Sequence, residues 1–254
     1  VDRQTWWWWT GLRATSVANL VALGVTVAAS PAAPHHALQL ACAAVYAAVC
    51  AFRSFFPRVD LERTVLVDHP LSSIALGRTS ATVAELAFTV QCASFAAGLA
   101  PLTDPRLATA AWGLVPLIAV AQVFCWLGVL TLRHVWHAAE EACWVVMMAV
   151  LAAVFVEAFP GAEGALRWAL AVGLVGCAGG AYVMAVLDIP MYLRRWREDR
   201  GAGLSIGAGL VDAARRREPT GAWEVWRHEV GWMTPYFTAG VWLSLALAWL
   251  PGPS

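Results

Sequence analysis

Residues 109–132 read TAAWGLVPLIAVAQVFCWLGVLTL, an apolar run without one charged side chain. After Arg133 a second run follows, AAEEACWVVMMAVLAAVF from Ala138, whose only charges are Glu140 and Glu141. About 20 apolar residues carry a helix across the hydrocarbon core of a bilayer. Working outward from this pair, the same test picks spans at about 14–30, 37–52, 79–100, 109–132, 138–159, 165–187 and 234–250. The expected fold is all-α, a polytopic membrane helical bundle of seven transmembrane helices. It forms a single domain over residues 1–254, with long connections at 53–78 and 188–233. Composition agrees: the chain is 60% hydrophobic and 13% charged, against roughly 45–50% and 25% in soluble domains.

All 17 basic residues are arginine. The missing lysine excludes a retinal Schiff base and pyridoxal phosphate, both of which need its amine. Cys42, Cys50, Cys92, Cys125, Cys143 and Cys177 all fall in apolar segments without a C-x-x-C pair, so they read as small buried hydrophobes. The arginines also orient the chain. With the amino terminus inside, fifteen fall on the cytoplasmic side, including Arg53, Arg58, Arg63 and Arg78, and only Arg106 and Arg167 fall outside. The positive-inside rule therefore expects a cytoplasmic amino terminus, an external carboxyl terminus and cytoplasmic loops at 53–78 and 188–233, in an inner or plasma membrane. Trp6–Trp9 are expected as an interfacial anchor just ahead of the first span. Trp223, Trp226, Val230 and Met233 are expected as the stripe of an amphipathic segment on the inner surface. The Arg215–Arg217 run would face anionic headgroups.

Ionisable groups inside spanning helices cost roughly 2.5–3.5 kcal/mol each at the centre, so each needs a reason. In the third span Arg78, Thr82, Glu85, Thr89 and Cys92 share a helical face, and Glu85 reads either as a catalytic acid or as the ion-pair partner of Arg78. In the fifth, His134, His137 and Glu141 fall within one arc with Glu140 beside His137. Imidazole and carboxylate at these spacings suit a divalent metal such as zinc or iron, or a proton relay. Asp188, ahead of Pro190, is a further ligand or the partner of Arg194 or Arg195. The expected metal ligands are thus His134, His137, Glu141 and Asp188, and the expected catalytic groups are Glu85, His137, Glu140 and Glu141. The spacing is not the H-E-x-x-H of zinc proteases, and six histidines are too few for the boxes of membrane desaturases.

Three functions fit these residues. The first is an integral membrane enzyme with a His/carboxylate pocket open to the cytoplasmic leaflet, acting on a lipid or other lipophilic substrate. The second is a proton-coupled transporter or channel using the same acids. The third is a pigment- or haem-binding subunit of a larger complex or oligomer, with His137 and His228 as axial ligands. Membrane lipids are expected partners and nucleic acid is not.

Overall fold

A computed structural model describes residues 1–29, 34–199, 201 and 203–250. Ser30, at the expected end of the first span, and Arg200, one of the basic residues counted above, lie outside them. The helices are α1 (Arg3–Ala29), α2 (Pro34–Phe55), α3 (Ile74–Gly98), α4 (Pro105–Ala110), α5 (Leu114–Thr131), α6 (His134–Ala158), α7 (Gly164–Tyr182), α8 (Ile189–Glu198), α9 (Ile206–Arg215), α10 (Trp223–Trp226), α11 (Val230–Phe237) and α12 (Ala239–Trp249). Among the described residues five stretches are long and apolar enough to cross a membrane: Arg3–Ala29, His36–Phe55, Pro105–Thr131, His134–Gly161 and Gly164–Glu198. They match the first, second, fourth, fifth and sixth expected spans. The stretch expected as the third is one continuous helix, α3, whose amino-terminal half holds Arg78, Thr79, Ser80, Thr82 and Glu85. The stretch expected as the seventh is divided between α11 and α12 at Thr238. Tertiary contacts separate the chain into two compact units, residues 1–88 with 210–249 and residues 89–209 with Leu250.

In the first unit α1, α2 and α12 pack on one another. The buried face of α1 carries Thr5, Leu12, Ser16, Asn19 and Thr26, while Val17, Val21 and Val25 are exposed. Polar groups inside and valines outside suit a helix whose solvent is lipid, where hydrogen bonds rather than apolar burial join neighbours. Asn19 Nδ2 donates to the Phe237 carbonyl at 2.9 Å, which supplies a partner beside the α11–α12 break. The four tryptophans lie within α1, which starts at Arg3, and not ahead of it. Four consecutive helical positions spread around the helix. Trp6 and Trp7 are accordingly exposed, whereas Trp8 donates to Thr234 Oγ1 and Trp9 to the Ser54 carbonyl.

The connection after α2 is ordered. β1 (Arg58–Val59) pairs antiparallel with β2 (Thr64–Val65), and β3 (Glu218–Pro219) pairs parallel with β2, a minimal sheet within an otherwise helical fold. Arg53, Arg58, Arg63 and Arg78 are all buried. Arg63 Nε meets Asp212 Oδ2 at 2.7 Å and Nη1 donates to the Asp60 carbonyl. Arg58 donates to the carbonyls of Phe56 and Ser73. Gly77 makes that packing fit, since a Cβ there would lie 2.3 Å from Arg58 Nη1. Burial pushes the Arg58 guanidinium down to about 10, helped by repulsion from Arg53, so it remains charged at neutral pH. Arg216 pairs with Glu218 and Arg217 with Asp68. The expected tryptophan stripe is also revised: α10 and α11 are separate helices, and Trp226 and Met233 are core residues instead of a surface face.

In the second unit α6 packs against α5, α7 and α8. The turn between α5 and α6 places Leu132 in the left-handed region at φ 59°. The helix expected to end at Asp188 continues instead through a π-helical turn, Val183–Asp188, into α8. Pro190 lacks an N–H and crowds the carbonyl four residues earlier, and the wider π turn accommodates both without ending the helix. Residues 203–209 close tightly over the end of α5. Leu204 N donates to the Thr131 carbonyl at 3.2 Å, and a Cβ on Gly209 would lie 1.9 Å from the Leu130 carbonyl oxygen.

Candidate metal centre

Cys125 lies one turn before Gly128 on α5, and His137 and Glu140 are one turn apart on α6. All three polar residues are buried, with exposures of 1%, 7% and 7%. One ligand atom from each lies within 4.8 Å of the other two, among the described residues the one group of three such side chains able to share an ion. His137 Nδ1 is 2.8 Å from Glu140 Oε2. His137 Nε2 is buried and has no hydrogen-bond partner. It faces α5 where that helix has no side chain, since a Cβ on Gly128 would sit 2.6 Å from it. The carboxylate fixes the imidazole with Nδ1–H toward itself, which leaves the Nε2 lone pair for a Lewis acid.

Tyr192 of α8 lies over both histidines, its ring centroid 5.3 Å from that of His137 in a stacked arrangement and 6.3 Å from that of His134. Glu141, Asp188 and His134 are half-buried, and Asp188 sits in the π turn. Of the residues singled out from the sequence, His134 and His137 therefore lie against Tyr192, Glu140 is bonded to His137, and Asp188 is one turn before Tyr192.

Glu85 belongs to the first unit. There Arg78 Nη2 donates to its Oε1 at 2.8 Å and the Tyr236 hydroxyl donates to the same atom at 3.3 Å, the ion pair weighed above with a tyrosine added. The Tyr236 ring in turn packs on Tyr46 at 5.8 Å. His228, also of the first unit, is exposed.

The sequence does not single out Cys125 as a candidate ligand. Its place in an uncharged apolar run and its lack of a spaced partner make it look like packing, and the Cys125 and Gly128 pair gains meaning only from the facing helix. None of the six cysteines forms a disulfide. Compared with protein-family models, curated proteins and solved structures, the chain matches none of them.

Proposed function

We propose that this chain is a multi-pass enzyme of an inner or plasma membrane in which Cys125 and His137 would hold a divalent metal, zinc or iron, with Glu140 orienting the imidazole, and which acts on a lipid or other lipophilic substrate. The observation that carries the reading is the buried Nε2 of His137, without a partner, on an imidazole that groups with the Cys125 thiol and the Glu140 carboxylate. A buried polar atom left unsatisfied costs about 1–3 kcal/mol, and a metal bond removes that cost. Thiolate and imidazole suit zinc, and such a metal would supply Lewis-acid chemistry that acidifies a water toward neutrality. Cys125 lies near the end of the apolar stretch Pro105–Thr131, and His137 near the start of His134–Gly161. The centre thus sits near one membrane face, within reach of an ester or phosphoryl group at headgroup depth. Glu141 and Asp188 are the carboxylates placed to accept a proton.

The same reading keeps seven crossings with a cytoplasmic amino terminus. Support comes from the length of α3, Ile74–Gly98, and from the apolar sequence of α11 and α12 taken together.

Metal analysis of the purified protein, with its absorption spectrum, tests the proposal. About one zinc or iron per chain is expected, lost in His137→Ala and Cys125→Ser while helical content is kept, together with turnover of membrane lipids that a chelator abolishes. Wild-type protein without metal would leave His137 and Glu140 as a structural hydrogen bond. A Soret or pigment band would support the third function named above.

A further inference from the structure

A cavity of about 450 Å³ opens in the second unit, lined by Leu132, Arg133, His134, Trp196, Asp199, Gly201 and Gly203. Its walls come from the ends of three apolar stretches, since Pro105–Thr131 stops one residue before Leu132, His134–Gly161 begins at His134, and Gly164–Glu198 stops one residue before Asp199. In a chain embedded in a bilayer those ends mark the headgroup level. The cavity also adjoins the metal centre. His134 in its wall is one turn before His137, and Trp196 is one turn beyond Tyr192, the ring that covers both histidines.

Its charges are of opposite sign. Arg133 and Asp199 both line it, and neither forms an ion pair among the described residues. Asp199 accepts one hydrogen bond from the Gly201 backbone N–H through Oδ1. The guanidinium offers a planar fork of donors that matches a phosphate. The carboxylate and the exposed indole of Trp196 offer an acceptor and a π face for an ammonium.

We propose that this cavity binds the zwitterionic headgroup of a phospholipid, with its phosphate on Arg133 and its ammonium on Asp199 and Trp196, and so names the substrate class of the metal centre next to it. The inference rests on the reading of that centre as a lipid-directed enzyme. A phosphate alone would find Asp199 repulsive, and an ammonium alone would find Arg133 so; only a ligand carrying both charges satisfies both walls.

The test measures binding of dioctanoyl-phosphatidylethanolamine and dioctanoyl-phosphatidylglycerol to the purified full chain in neutral detergent by native mass spectrometry. Wild-type protein should prefer the ethanolamine lipid by roughly tenfold, the scale expected for one charge matched in place of opposed. Asp199→Asn should erase the preference, and Arg133→Ala should weaken both lipids. Equal binding of the two lipids by wild type, or unchanged binding in both variants, overturns the proposal. Water-soluble glycerophosphoethanolamine should compete weakly, and competition equal to the lipid overturns the assignment to a membrane ligand. Cys125→Ser separates the two claims: lost metal with the headgroup preference kept supports both, whereas wild-type protein that lacks metal yet keeps the preference removes the enzyme and leaves a lipid site.

Discussion

Single atoms decide the candidate centre. Gly128 leaves the room beside His137 Nε2 that any other residue would fill. Gly128→Ala is therefore expected to lower metal affinity at least tenfold and to destabilise the fold by about 1–3 kcal/mol through overpacking, read by metal titration and thermal unfolding in detergent. Glu140→Gln retains a hydrogen-bonding group for Nδ1 but removes the negative charge. A loss of about 10–100-fold in metal affinity is expected, as for other partners that orient a ligating imidazole; unchanged affinity would show that the carboxylate takes no part. Leu132 holds a left-handed conformation at φ 59°, which costs a residue with a Cβ roughly 1–2 kcal/mol. Leu132→Gly should raise the unfolding temperature while leaving metal content unchanged. The acids and histidines of this region are legible one by one, because an ionisable group in an apolar run announces itself. Cys125 is not, because a thiol in such a run is indistinguishable from packing.

Among the elements, the π turn Val183–Asp188 matters most for the site. A proline in an apolar run reads as a stop, and the helix instead widens by one turn and continues to Glu198, which carries Tyr192 over the histidines. Pro190→Ala restores a backbone donor and permits ordinary α-helical bonding, which would rotate Tyr192 relative to α6. The expected outcome is altered metal affinity with helical content kept; a variant identical to wild type in metal binding would show that the π turn is incidental. The hydrophobic stretches are legible because chain length in lipid is set by the thickness of the hydrocarbon core. The division of α11 from α12, and the burial of Trp226 and Met233, are not, because an apolar period cannot distinguish a core from a membrane surface.

For the whole molecule, arginines from which the sequence expects an orientation also supply internal structure. Arg63, in the turn between β1 and β2, pairs with Asp212 of α9, and Arg58 donates to the Ser73 carbonyl just ahead of α3. Removing one partner of a buried pair costs about 3–5 kcal/mol, and less here because Asp212 retains some solvent contact. Arg63→Ala should accordingly lower stability by about 2–3 kcal/mol, measured by thermal unfolding, where an exposed basic loop would show no change. The sequence by itself determined the helical, membrane-like character of the chain and its lack of lysine, since hydropathy and composition are sums over the chain and need no knowledge of what touches what. The tertiary structure alone decided which polar groups meet: Glu85 with Arg78 and Tyr236, His137 with Glu140 and Cys125. A ligand set drawn from two helices depends on their register and rotation, and side-chain packing between the helices, not the pattern along either one, sets both.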